Sequence, residues 1–182
     1  PMSDTASQEN ILTVLAFYAL TGADLEVKCR ESADLQGVEM RLELKNGINN
    51  CKIINDSYNS DFNSLTLALD YLNALAKGEK RVVILSDILQ SGQNKETLYR
   101  NVGELLRAKR IDLLMAVGED IGRWIQPQEG MEIRKFATTQ ALADYLHEHK
   151  SDFREMSILL KGSRRFAFER LSLLLEEKQH AT

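Results

Sequence analysis

The feature that most constrains this chain is a rhythm of short apolar runs, each followed by a stretch long enough to be a helix. The runs are KIIN (52–55), RVVILS (81–86), DLLMAV (112–117), EIRKFA (132–137) and MSILLK (156–161). Helical stretches follow at about 63–77, 95–109, 119–126, 139–149 and 166–177, which is the length that a right-handed crossover between parallel strands requires. Cores such as VVIL and ILL are apolar on both sides, as strands are when helices cover both faces of a sheet. The expectation is a doubly wound, mostly parallel, Rossmann-like α/β sheet.

Two features precede this alternation. Residues 8–21 place Ile11, Leu12, Leu15, Tyr18 and Ala19 at helical spacing, with Thr21-Gly22 as a stop, and predict one amphipathic helix. VEMRLELK (38–45) alternates apolar and charged residues, and Asn46-Gly47 separates it from NCKIIND (50–56), the pattern of a β-hairpin whose second strand runs inward. The weak boundary lies near 30–38, where ESADLQG reads as a hinge or linker. At 182 residues the chain has room for one main domain and a small appendage.

Composition excludes several function classes. A net charge of −4 offers no basic surface for a polyanion, so nucleic acid is not an expected partner. Apolar stretches such as ILTVLAFYAL (11–20) are too short to span a bilayer, and no basic segment with a cleavage site precedes them, so neither membrane insertion nor export is expected. Cys29 and Cys51 lack a CxxC spacing and read as free thiols of a reducing cytoplasm. There is no GxxxxGK[ST], no GxGxxG after the first strand and no GxSxG. His147 and His149 sit two apart in a helix and point to different faces, so no metal site is expected from them or from His180. Trp124 and the apolar residues of the last helix read as core.

In an open parallel sheet, ligands bind beyond the C-terminal ends of the strands. Those positions are polar here: NDSYNSDFNS (55–64), SDILQSG (86–92), GED (118–120) and KGSRRF (161–166). Asp, Ser, Asn and Gly also start helices and make tight turns, and Ser64 alone fits a helix cap. Seven polar residues in succession, NDSYNSD, exceed what capping uses and point to ligand contact. Lys161, Arg164 and Arg165 beside a helix start suit a carboxylate or phosphate, or equally a solvated basic turn.

The run INDSYNSDFNSLTLALDYL (54–72) resembles the loop and helix that open the C-terminal domain of Mur ligases. Where the branch that adds D-alanyl-D-alanine has D-x-Y-N-A-N-P-x-S, this chain has Asp56, Tyr58, Asn59, Ser60, Asp61, Phe62 and Ser64, departing at Ser60, Asp61 and Phe62. VEMRLEL is similar to the family's G-R-x-E junction, with Arg41 and Glu43 in place and Met40 for the glycine. SDILQSG resembles G-D-M-x-E-L-G through Asp87 and Gly92, and LLKGSRRFAFERL resembles K-G-S-R-x-x-x-x-E through Lys161, Gly162, Ser163, Arg164 and Glu169. SQENILTVLAFYAL is similar to the end of the central ATPase domain, where an asparagine, here Asn10, helps hold the nucleotide.

The resemblance implies an ATP-dependent amide ligase of peptidoglycan synthesis, acting through an acyl phosphate on UDP-N-acetylmuramoyl-tripeptide and D-alanyl-D-alanine. Residues 1–36 would end the central domain and 37–182 would form the third. Asn10, Arg41 and Asp56 would serve ATP; Tyr58, Asn59, Asp61, Ser64, Asp87, Lys161 and Arg164 would line the substrate side. ATP and magnesium sites would lie mainly in the central domain, so this chain alone would not turn over. The wording of NDSYNSD, LSDILQSG and LLKGSRRFAFER also resembles the fused version in which an alanine racemase, with its pyridoxal phosphate, follows on the same polypeptide. The central and racemase domains would then be the chain's covalent partners. A second reading, a ligase-like scaffold that has lost catalysis, stays open on the departures at Asp61 and Phe62.

Overall fold

The computed structural model describes residues 5–22, 24–33, 41–89 and 91–177. Contacts divide the chain into two compact units, 1–39 and 40–182. The first unit contains helices α1 (Thr5–Leu20) and α2 (Leu25–Ala33). α1 falls on the expected segment, but its apolar residues do not form one buried stripe, since Leu12, Phe17 and Leu20 are all exposed. α2 was not expected, and it occupies residues 30–33 of the supposed linker. Its LEVKCRESA sequence has no apolar periodicity, and its start is marked only by Asp24, whose carboxylate accepts from the amides of Glu26 and Val27. The remainder of that linker and strand residues 38–40 lie outside the described residues.

The second unit is built on a six-stranded sheet in the order β1-β2-β6-β3-β4-β5. The strands are β1 (Glu43–Asn46), β2 (Lys52–Asp56), β3 (Lys80–Ser86), β4 (Leu113–Val117), β5 (Glu132–Phe136) and β6 (Met156–Lys161). Only β1 runs antiparallel. Successive side chains alternate between two cores, as the pleat requires. Ile54, Val83, Leu85, Leu114, Ala116 and Leu159 enter one core, and Ile53, Val82, Ile84, Met115, Ile158 and Leu160 enter the other.

Helices α3 (Phe62–Leu75), α4 (Lys95–Ala108) and α5 (Glu119–Trp124) cover the first face. α6 (Thr139–Glu148) and α7 (Glu169–Leu175) cover the second. Each longer helix buries a stripe at three- and four-residue spacing, such as Leu65, Ala68, Leu69 and Leu72 in α3. Local chemistry sets their starts: Asn94 accepts from the Thr97 amide at α4, and Thr138 from the Ala141 amide at α6. The doubly wound α/β expectation is met, with two local corrections. The hairpin connection is a 3-10 turn, Ile48–Asn50, whose Asn49 and Asn50 have φ of 52° and 62°. The last helix starts at Glu169 rather than 166, because Arg164–Phe166 forms its own 3-10 turn and Ala167 is left-handed.

This topology positions a crevice. β3 and β6 are neighbours, yet the chain leaves β3 for α4 on one face and β6 for α7 on the other. The loops after them diverge at a topological switch point, where open α/β sheets bind ligands.

Candidate functional site

Asp56 and Lys161 end β2 and β6 and are partners in register. Side chains in register on adjacent strands share a face, and the Lys161 ammonium lies 3.0 Å from Asp56 Oδ2. Lys161 is only 1% exposed and Asp56 9%. An isolated charge buried this deeply costs several kcal/mol, so each requires the other and further hydrogen bonds. These exist: Lys161 Nζ also donates to the Asn59 carbonyl, and the Leu42 amide donates to the Asp56 carboxylate. Burial still pushes the Asp56 carboxyl above its ordinary value, against the opposing pull of Lys161, the Leu42 amide and Arg41.

Two residues on, Tyr58 presents a ring that is 40% exposed. The guanidinium carbons of Arg41 and Arg164 lie 4.8 Å and 5.8 Å from its centroid, within cation–π range. The Arg164 amide donates to the Tyr58 carbonyl at 3.2 Å, and the Ser163 amide to Ser86 Oγ at 3.1 Å. The loops after β2, β3 and β6 are thereby tied together. Gly162 is required at this junction, because a Cβ there would approach the Phe168 ring to 2.9 Å. Among the described residues, the hydroxyls of Ser60 and Ser163 are buried without a hydrogen-bond partner, leaving unspent hydrogen-bonding capacity beneath the rim.

Other polar residues of the rim are committed to local structure. Asp61 caps α3 by accepting from the Ser64 amide at 2.9 Å, and Ser64 Oγ accepts from the Asp61 amide at 3.2 Å, a complete capping box. Asp87 turns toward α5, accepting from the Ile121 amide at 2.7 Å and the Asp120 amide at 3.4 Å. Gly118 makes that approach possible: its φ is +129°, and a Cβ there would lie 2.4 Å from the Asp87 carboxylate. Burial raises the Asp87 carboxyl against the pull of those two amides. The hydroxyl of buried Tyr99 accepts from the Ile88 amide at 3.0 Å, and burial raises its pKa, with the Asp87 and Asp120 charges adding to the shift.

The sequence-derived residues therefore separate into groups. Asp56, Asn59 and Lys161 form one cluster, and Arg41, Tyr58 and Arg164 another. Asp61, Ser64 and Asp87 hold helix starts. The side chain of Asn10 lies outside the described residues. Lys161, expected to reach a ligand carboxylate, instead points inward, while Arg164 remains exposed. Ser60 and Ser86 were not among the expected site residues: Ser60 stood out only as a departure from the family motif, and Ser86 only by its place within the polar strand ends.

Residues 40–164 match the family described as Mur ligase, glutamate ligase domain. The chain belongs to the Mur ligase family. It is 31% identical over 173 residues to the UDP-N-acetylmuramoyl-tripeptide--D-alanyl-D-alanine ligase of Escherichia coli, covering 93% of this chain and 37% of that one. It thus spans about a third of that relative's length. The fold matches the UDP-N-acetylmuramoylalanyl-D-glutamyl-2,6-diaminopimelate--D-alanyl-D-alanyl ligase of Acinetobacter baumannii at a TM-score of 0.74 and 24% identity, over 96% of this chain and 37% of that one. The crystal structure of a domain from a putative UDP-N-acetylmuramate:L-alanyl-gamma-D-glutamyl-medo-diaminopimelate ligase of Haemophilus ducreyi matches at a TM-score of 0.51 and 14% identity, over 74% of this chain and 99% of that one.

Proposed function

We propose that this chain is the third domain, with the end of the central domain over residues 1–36, of the ATP-dependent ligase that joins D-alanyl-D-alanine to UDP-N-acetylmuramoyl-tripeptide. The observation that carries this is identity to the Escherichia coli ligase of that name along 93% of the chain, including both units. The geometry supports it. Arg41 and Arg164 flank an exposed Tyr58 at the switch-point crevice, where guanidinium groups are suited to carboxylates and phosphates. In this reading Arg164 faces the terminal carboxylate of the dipeptide, Arg41 the nucleotide phosphates, and the remaining edge of Asp56 a ribose hydroxyl.

Among the described residues, no group of three His, Cys, Asp or Glu could hold a metal ion. In this reading magnesium belongs with the central domain, together with most of the ATP site. The third domain supplies positioning and charge, and it is inactive until it closes on the central domain. The reading extends to an alanine racemase on the same cytoplasmic polypeptide, with pyridoxal phosphate confined to that part. Its support is the wording of NDSYNSD, LSDILQSG and LLKGSRRFAFER.

The test is phosphate release by the complete polypeptide and by this chain beside it. Release that requires both UDP-N-acetylmuramoyl-tripeptide and D-alanyl-D-alanine, in the complete polypeptide only, is expected. A folded complete polypeptide without such release would overturn the ligase reading in favour of a scaffold. Asp56→Asn is expected to raise KM for ATP about tenfold, the loss of one charged hydrogen bond. The amide keeps a hydrogen-bond acceptor for Lys161 but not its counter-charge, so the variant is first checked for folding by circular dichroism; unchanged ATP kinetics in the folded variant would remove the ribose contact.

A further inference from the structure

The Lys161 ammonium is sealed in the fold, but its two partners belong to one short segment. Asp56 closes β2, and Asn59 lies three residues further along the same loop. A single cation bonded to both sets the path of the chain between them. The other restraints on this loop do not duplicate that bond: Ser57 Oγ donates to Asn55 Oδ1 at 2.6 Å, which fixes the start of the loop but does not reach Asn59. The Arg164 amide holds the Tyr58 carbonyl, and the Asp61 capping box fixes only the loop's far end. The Asn59 side chain accepts from the next amide, that of Ser60, and so does not anchor the loop to the sheet.

We propose that Lys161 is a positioning residue: it links the Asp56 carboxylate to the Asn59 carbonyl and holds residues 57–60 in the shape the substrate meets. This rests on the ligase reading only in that those residues face the substrate. The ordering of the loop is a property of the chain itself. A neutral side chain of similar length, as in Lys161→Met, removes both bonds and leaves a buried carboxylate with the weaker support of the Leu42 amide and Arg41. Asp56→Asn in the same chain relieves that charge but restores nothing at Asn59.

The experiment uses this chain, since a domain of the same fold has crystallised on its own, and compares the parent, Lys161→Met and Asp56→Asn/Lys161→Met by urea unfolding and 15N relaxation. Lys161→Met is expected to lower the unfolding midpoint, and the double variant to recover most of that loss. In the double variant the order parameters of Tyr58, Asn59 and Ser60 are expected to fall from the rigid range near 0.85 to below about 0.6, while those of β3 and β4 stay unchanged. If Lys161→Met does not fold, the double variant alone carries the test. Order parameters at 58–60 equal to the parent's would overturn the proposal, leaving Lys161 only a structural counter-ion.

These readouts need no turnover, so their failure is distinct from failure of the ligase reading. In the complete ligase, Lys161→Met is expected to raise KM for the dipeptide about tenfold with little change in kcat. A loss confined to kcat would place Lys161 in the chemistry instead and overturn the positioning role.

Discussion

Asp87→Ala separates two roles for a residue that sequence alone placed on the substrate side. The carboxylate accepts from the Ile121 amide at 2.7 Å, and Ile121 is fully buried. Truncation removes a helix cap, a loss of about 0.5–2 kcal/mol, and orphans a buried N–H, which costs about 1–3 kcal/mol. These overlap, and relief of an unfavourably buried carboxylate offsets part of them, so the net loss is about 2 kcal/mol. For a domain of this size that lowers Tm by about 4–8 °C, measurable by calorimetry. Asp87→Asn keeps an acceptor for Ile121 and is expected to lose about half as much. The pH dependence has a definite sign. Because the folded carboxyl is raised above its ordinary 3.8, the folded state takes up the proton more readily than the unfolded one. The parent's advantage over Asp87→Ala therefore grows as pH falls from neutral through the raised value, and is complete below 3.8. A variant within about 0.5 kcal/mol of the parent at neutral pH, the range of an ordinary surface change, would refute the capping role and release Asp87 for ligand contact.

Two further substitutions test the same rim. Gly118→Ala combines a left-handed backbone with a Cβ 2.4 Å from the Asp87 carboxylate, and is expected to cost about 3 kcal/mol or more in urea unfolding, since the strain and the displaced cap add. Asp61→Ala is expected to cost about 1 kcal/mol at neutral pH. Burial raises the Asp61 carboxyl, but the Ser64 amide and hydroxyl and the Lys161 charge outweigh it and leave it below 3.8. That contribution is present above 3.8 and lost as pH falls through the lowered value, so melting curves of parent and variant should converge in acid.

The parallel core was legible because strands covered on both faces must be apolar throughout, as at 82–85 and 158–160. Sheet order was not. β6 inserts between β2 and β3, and nothing local to MSILLK records neighbours that distant. α2 escaped because its residues carry no buried stripe, and the break at Ala167 because a left-handed alanine has no sequence marker. The rim was found from the polar residues that end each strand. Which of them face a ligand depended on contacts between remote segments: Lys161 looks like an exposed strand end until β6 is laid beside β2, where Asp56 meets it. The capping work of Asp61 and Ser64 was foreseeable from spacing, whereas Asp87 reaches a helix start thirty-four positions away.

The ties among the three loops bear on how specificity could be transplanted between relatives. Tyr58 is held by the backbone of Arg164, and the backbone of Ser163 by the side chain of Ser86. A graft that exchanged only the segment after β2 would arrive without the anchors that shape it, and one that exchanged only the KGSR turn would remove an anchor from its host. The unit of exchange is the trio, moved together with Asp56 and Lys161 beneath it.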